Sequence, residues 1–194
     1  MNAERSTTRG VAHYPGIPAH APVRARFLLL SCALALLAAC GGGEAVRAPA
    51  PSARVAMPRT WPVVEPADPA RANSVLMRAI GLVGTPYRYG GNTPEGGFDC
   101  SGLVNYVFRD MAAVALPRTS RDLASTSGRK VPVDGLAAAD LVFFANGGSV
   151  THVGIYVGEG RFVHAPSTGG TVRLDHLDGP YWAQHYAGAR RVLQ

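Results

Sequence analysis

Residues 98–111 read Phe-Asp-Cys-Ser-Gly-Leu-Val-Asn-Tyr-Val-Phe-Arg-Asp-Met, and residues 152–164 read His-Val-Gly-Ile-Tyr-Val-Gly-Glu-Gly-Arg-Phe-Val-His. The two stretches have different periods. In the first, Leu103, Val104, Val107, Phe108 and Met111 fall on one face of a helix. Cys100 shares that face at the first turn. Asp99 is a natural N-cap, because its carboxylate can accept from the N–H groups that a helix start leaves unpaired. In the second stretch, His152, Gly154 and Tyr156 point to one side, and Val153, Ile155 and Val157 to the other. Gly158-Glu159-Gly160 reads as a turn and Arg161–His164 as the return strand.

Register decides where the two histidines lie. A three-residue loop at 158–160 pairs Val157 with Arg161 and Gly154 with His164. His152 then becomes the diagonal neighbour of His164 on one face. A two-residue loop would turn His164 to the opposite face, because a one-residue slip inverts a strand.

Working outward, Val75, Leu76, Ala79, Ile80 and Val83 repeat at helical spacing, with Asn73 as a cap and Gly84 and Pro86 as stops. Thr119 and Asp122 form a short capping box for a helix near 119–126. Leu141–Ala145 reads as a buried strand, and shorter strands are expected near 171–174 and 187–192. Helices come first and strands later. This order predicts an α+β domain, residues 71–194, with N-terminal helices packed on an antiparallel sheet.

The N-terminal third has a different character. Arg24 and Arg26 precede an apolar run at 27–39, Phe-Leu-Leu-Leu-Ser-Cys-Ala-Leu-Ala-Leu-Leu-Ala-Ala. Spanning a hydrocarbon core takes about 20 apolar residues, so this shorter run reads as a signal peptide over residues 1–39. Leu37-Ala38-Ala39-Cys40 resembles the bacterial lipobox, which makes Cys40 the expected lipidation site. Gly41 stands where Asp would resemble a retention signal for the inner membrane. The expected location is therefore the outer membrane, facing the periplasm. Residues 40–70 carry six prolines and no apolar period, and read as a disordered tether.

The formal charge of +6 over 194 residues is unevenly spread, since Arg5, Arg9, Arg24 and Arg26 all precede the apolar run. The remainder has no basic cluster of the kind nucleic acid requires, so no nucleic-acid partner is expected. Cleavage before Cys40 removes Cys32 and leaves Cys40 and Cys100. With Cys40 acylated, no disulfide framework is possible, and Cys100 is a free thiol in an exported chain. A cysteine nucleophile needs a base and an orienter for that base. His152 and His164 can supply both, and the helix start can lower the thiol pKa. One Cys and two His lack the paired spacing of a zinc site, so neither metal nor cofactor is expected.

Six sequence words add to this reading. They are Gly84-Thr-Pro-Tyr-Arg-Tyr-Gly-Gly91, Phe98-Asp-Cys-Ser-Gly-Leu-Val104, Leu116-Pro-Arg118, Asp140-Leu-Val-Phe-Phe144, His152-Val-Gly-Ile-Tyr-Val-Gly158 and Phe162-Val-His-Ala165. In order and spacing the chain resembles the NlpC family of cell-wall cysteine peptidases, which have a compact papain-like fold. Its ending, Tyr181-Trp182 and Ala189-Arg-Arg-Val192, looks like that of Spr-type murein endopeptidases, themselves outer-membrane lipoproteins. The resemblance implies Cys100 as nucleophile, His152 as general base and His164 as the polar residue that orients it. It implies a cleft-lining role for Tyr87, and substrate contact for Asp99 and Ser101. For Asp99 the helix cap is an equal reading, and Arg118 reads as surface or packing.

The expected activity is hydrolysis of amide bonds in peptidoglycan stem peptides or crosslinks through a Cys-His-His triad. The partners are then those peptides and, through the lipid on Cys40, a membrane; the chain is read as a monomer. Two alternatives stand beside this: another amidase or acyl-transfer reaction on the same fold, or a non-enzymatic wall-binding lipoprotein. The Spr-like ending favours the D-Ala to diaminopimelate crosslink, whereas other relatives cut after γ-D-Glu.

Overall fold

A computed structural model describes residues 55–167 and 170–194. The apolar run at 27–39, Cys40 and the first part of the tether lie outside the described residues. Helix α1 (Pro69–Gly81) starts earlier than its apolar stripe suggests. The Asp68 side chain caps it by accepting from the Arg71 N–H, and Pro69 occupies the first turn, where no N–H is needed. Its buried stripe is Ala72, Val75, Ala79 and Leu82; Ile80 and Val83 face outward. Residues 55–68 form neither helix nor strand, yet Met57 and Trp61 pack against the domain. The segment read as tether therefore joins the folded unit well before residue 70.

A two-stranded ribbon, β1 (Asn92–Thr93) and β2 (Gly97–Phe98), leads into α2 (Cys100–Ala112). Asp99 caps α2 by accepting from the Gly102 N–H at 2.7 Å. Helix α3 (Ser120–Thr126) is capped by Thr119, which accepts from the Asp122 N–H. The remaining strands are β3 (Arg129–Val131), β4 (Leu141–Asn146), β5 (Ser149–Gly158), β6 (Arg161–His164), β7 (Arg173–His176) and β8 (Tyr186–Arg191), with a short helix α4 (Pro180–His185) between the last two. They form one antiparallel sheet in the order β3-β8-β4-β5-β6-β7. The class is α+β, as the order of periods predicts.

The sheet is covered on both faces. On one, Phe143, Val153, Ile155 and Val163 meet Val75 and Ala79 of α1 and Leu103, Val107 and Phe108 of α2. On the other, Val142, Phe144, Tyr156, Phe162 and Leu177 meet Trp61, Trp182 and Tyr186. This double burial goes with an unbroken apolar run at 141–145 of β4, which turns polar only at exposed Asn146. One buried ion pair ties its start to the end of β8. Arg191 clasps Asp140 through Nε at 2.8 Å and Nη2 at 2.7 Å, and Asp140 also accepts from the Ala137 N–H.

The β5–β6 hairpin differs from its expected form. Its loop is two residues, Glu159 and Gly160, both at positive φ (52° and 71°), the twist a tight hairpin favours. Gly158 pairs with Arg161, whereas Tyr156 pairs with Phe162 and Ile155 with Val163. Val157 is thus an extra residue, a bulge that restores the register beyond it. The next pair along is Gly154 with His164, so both histidines still share a face. A two-residue loop plus a bulge does what a three-residue loop was expected to do.

The N-terminus of α2 is held where it is by close approach of backbone. A Cβ on Gly102 would collide with the carbonyl oxygen of Gly91, in the loop before β1. Backbone on both sides leaves no flexible side chain to yield. Gly102→Ala should push α2 off that loop and destabilise the domain by about 1–3 kcal/mol, the usual range for overpacking. Urea denaturation would measure this, and a variant as stable as the parent would contradict the packing described.

Candidate active site

The first turn of α2 and the edge of β5 bring Cys100 against the sheet. Cys100 is part-buried, packs on the helix-side core, and is a free thiol. Burial pushes its pKa up, and the Asp99 charge adds to this; the backbone N–H groups of Val153 and Ser101 act the other way. The sequence predicts a thiol lowered by the helix start. The structure instead has a thiol that stays protonated at rest, because desolvation of a thiolate outweighs the few N–H groups that favour it. The influence of Val153 places the sulfur beside the peptide that follows His152.

The rings of His152 and His164 meet edge to face, with His152 Nε2 2.9 Å from His164 Nδ1. His164 is fully buried, and its Nε2 lies 3.0 Å from Asp175 Oδ2 on β7. Burial lowers the His152 pKa to about 3, and the neighbouring His164 adds to the shift. Burial likewise lowers His164 to about 4 against the opposing pull of Asp175. Both imidazoles are therefore neutral at pH 7. Burial alone would raise the Asp175 carboxyl, but hydrogen bonds from Arg173, Trp182 and His164 hold it below the ordinary carboxylate range. Trp182 donates its Nε1–H to Asp175 at 2.8 Å and stacks on His152 at 5.4 Å between ring centroids.

The cleft beside the thiol is lined by Tyr87, Tyr89, Asp99, Ser101, Arg118 and Thr151, together with Cys100. Tyr87 is held by its backbone: its N–H donates to the Gly170 carbonyl, and it bridges to Phe98. Its phenol is pushed up by burial and then by the nearby Cys100 and Asp99. Asp99 does more than cap a helix. Its Oδ1 accepts from Gly102 N–H, from Arg118 Nη1 at 2.8 Å and from Ser101 Oγ; its Oδ2 accepts from Gly90 N–H and from Arg118 Nη2 at 2.7 Å. Arg118 also donates to Ser101 Oγ at 2.7 Å. Arg118, read from the sequence as surface or packing, is thus the clamp of this network. Burial would raise the Asp99 carboxyl, yet Arg118 and the two N–H groups keep it below its ordinary value.

Of the residues singled out in the sequence, Cys100, Tyr87, Asp99 and Ser101 line one cleft, joined there by Thr151 next to His152. His152 and His164 form a hydrogen-bonded pair on the adjoining strands, and Cys40 is outside the described residues. Sequence reasoning missed Asp175 and Trp182 as neighbours of the histidines. The expected strand near 171–174 stops short of Asp175. In the observed register His164 pairs with Arg173, so Asp175 is its diagonal neighbour, in the same relation that joins His152 to His164. An acidic residue in alternation with the apolar Leu174 was the available signal.

Half-buried His152 and fully buried His164 fix a pH dependence of stability. Both folded pKa values lie below the unfolded value of 6.5. Below pH 6.5 the unfolded chain takes up protons that the folded chain refuses until pH 3–4, so stability falls across that window as pH drops. Each histidine contributes a slope of up to about 1.4 kcal/mol per pH unit there. Urea midpoints measured from pH 7 to pH 4.5 should fall, and a His152→Gln, His164→Gln double variant should flatten the curve. Equal slopes in the two proteins would show that the rings are not buried neutral.

Comparison with known proteins agrees with the fold. A family model described as the NlpC/P60 family matches residues 84–191. The chain is 43% identical over 127 residues to murein DD-endopeptidase MepH of Escherichia coli K12, covering 63% of the chain and 47% of the relative. It is 38% identical over 169 residues to the probable endopeptidase NlpC of the same organism, covering 86% of the chain and 99% of the relative. Other curated relatives are matched over about half of their length. A crystal structure of an NlpC/P60 family protein from Bacillus cereus superposes with a TM-score of 0.60 at 32% identity, covering 63% of this chain and 40% of that one. The α+β fold and a family match over more than half of the chain agree: this chain belongs to the NlpC/P60 family.

Proposed function

We propose that the protein is a peptidoglycan endopeptidase in which Cys100 is the nucleophile, His152 the general base and His164 its orienter. The observation that carries this reading is a free thiol at the start of α2, beside a strand whose histidine is tied by its Nε2 to a second, buried histidine. With Nε2 of His152 engaged, Nδ1 is the nitrogen left for the thiol.

Because both groups are neutral at rest, proton transfer belongs to the attack itself. His152 takes the proton from Sγ as sulfur bonds to the peptide carbonyl carbon, and the carbonyl electrons move to oxygen. N–H groups at the start of α2 and the Tyr87 hydroxyl are the donors available to that oxygen. Collapse expels the amine, which takes the proton from His152. Water, deprotonated by His152, then releases the acyl group, and the sulfur regains its proton.

The saturated carboxylate of Asp99 bears on which bond is cut. A stem peptide with a free amino terminus needs an acceptor for its ammonium group. Both Asp99 oxygens already accept from Arg118 and from backbone N–H groups, and Ser101 is tied to the same arginine. This supports cleavage within crosslinks, at D-Ala to diaminopimelate, over cleavage after γ-D-Glu near a free amino terminus. The relative named murein DD-endopeptidase agrees with that choice.

Digestion of purified crosslinked muropeptides, with mass analysis of the products, tests the assignment. Cys100→Ala should abolish hydrolysis, and Cys100→Ser should be nearly as damaging. His152→Ala should cost about 10²–10⁴-fold in kcat/KM, the range for a general base. His164→Ala should be milder, since nucleophile and base remain. A chelator should leave activity unchanged while a thiol alkylator stops it. Full activity in Cys100→Ala would overturn the reading.

The same proposal includes anchoring. The lipobox-like Leu37-Ala-Ala-Cys40 supports a mature chain that begins at Cys40, acylated there and held at the outer membrane. Mass analysis of the mature N-terminus should find the lipid, and Cys40→Ala should release the protein from membrane fractions. Recovery of an unmodified Cys40 would overturn this part.

A further inference from the structure

We propose that Asp175 is a positioning residue for the base: acting through His164, it fixes which nitrogen of His152 carries the proton. The inference rests on the reading of His152 as base, and it adds a fourth member to the Cys-His-His set.

The argument follows the hydrogen atoms. A carboxylate accepts and cannot donate. His164 Nε2 lies 3.0 Å from Asp175 Oδ2, so that nitrogen carries the hydrogen. A neutral imidazole has one N–H, which leaves His164 Nδ1 as a bare acceptor. His164 Nδ1 lies 2.9 Å from His152 Nε2, and two ring nitrogens this close need one hydrogen between them. It can come only from His152 Nε2. The single hydrogen of His152 is then spent on His164, and Nδ1 presents a lone pair. That is the state a base must be in to take a thiol proton.

Without the carboxylate, nothing sets the direction of this chain. His164 could hold its hydrogen on Nδ1 and give it to His152 Nε2. His152 would then carry its own hydrogen on Nδ1, the nitrogen left for the thiol in the proposed reaction, and could not accept another. The two arrangements differ only in proton placement, so the group at the end of the chain selects between them.

Asp175 is itself held for this task. Arg173 donates to its Oδ2 from Nε at 3.2 Å and Nη2 at 3.0 Å, and Trp182 donates to the same oxygen at 2.8 Å. Four donor atoms thus converge on the one oxygen that His164 uses. Trp182 also stacks on His152, so one indole touches both ends of the chain. A carboxylate that served only to pin β7 would have no reason to be aimed, through the same oxygen, at a fully buried imidazole.

The test reads tautomers directly. The full-length chain is labelled with nitrogen-15 histidine, and ring nitrogen shifts are recorded at pH 7 for wild type and for Asp175→Asn. In wild type, His152 and His164 should each be protonated at Nε2. Asparagine has nearly the same size but can turn its amide N–H toward His164, so in Asp175→Asn the second tautomer should appear. Alkylation of Cys100 by iodoacetamide, followed by peptide mapping, should slow by about tenfold or more, as expected when a base is held in the wrong tautomer. A wild-type His164 protonated at Nδ1 would overturn the proposal, and this holds even if the variant fails to fold. So would a folded Asp175→Asn protein with unchanged tautomers and an alkylation rate within twofold of wild type. Neither readout uses a peptide substrate. Failure of the muropeptide assay alone would therefore sink the substrate reading and leave this one standing.

Discussion

The site is built around the carboxylate of Asp99. It caps α2 through the Gly102 N–H, holds the Gly90–Gly91 loop through the Gly90 N–H, and anchors the segment before α3 through Arg118. Three stretches far apart in sequence meet at two oxygen atoms, one residue before the thiol. Charge-assisted hydrogen bonds of this kind are roughly twice as strong as neutral ones. The geometry also explains why the next residue but two is glycine, since α2 must lie flush against the loop that Asp99 draws in. A negative charge so close to Cys100 opposes thiolate formation. The carboxylate that assembles the cleft thus adds to the effect of burial in keeping the sulfur protonated.

The second organising feature is the buried polar line across three strands, from His152 on β5 to His164 on β6 to Asp175 on β7. A strand sheet is well suited to it, because diagonal neighbours on one face repeat across each pair. Apolar rings surround the line: Phe144 and Phe162 pack near the histidines, and Trp182 covers them. Such surroundings penalise a charge on either ring and strengthen each hydrogen bond made there. The same low-dielectric setting that makes the folded chain sensitive to acid keeps both imidazoles neutral at pH 7.

Much of this was legible in the sequence where one residue's chemistry settled the matter. Asp99 before an apolar helical stripe, and Thr119 before Asp122, mark helix starts that the structure has at those places. The change from helical to alternating period gave the class. Other features depended on packing that pattern alone does not carry. The Asp68-Pro69 start of α1 does not show in the pattern because the stripe read from the sequence begins at Val75, which points to Asn73 as the cap, whereas the buried face extends back to Ala72. Trp61 seemed part of a featureless proline-rich stretch, yet it packs over Gly160 in the hairpin turn. The bulge at Val157 leaves no compositional mark, since its residue is as apolar as its neighbours. The raised thiol pKa was missed because a helix start can be read from sequence, whereas the desolvation opposing it requires knowing what covers the sulfur.

Strand order carries a consequence for how the chain reaches its working state. Strand β8, at residues 186–191, lies inside the sheet, between β3 and β4, and Arg191 completes the buried pair with Asp140. Until that strand arrives, β4 has an open edge and a buried carboxylate without its cation. The line of histidines hangs on β5 and β6, just beyond. A nascent chain emerging from N- to C-terminus can form α1, α2 and the β5–β6 hairpin, but it cannot close the sheet that aligns them. Closure of the sheet is thus postponed until nearly the whole domain has been delivered, a timing rule written into topology.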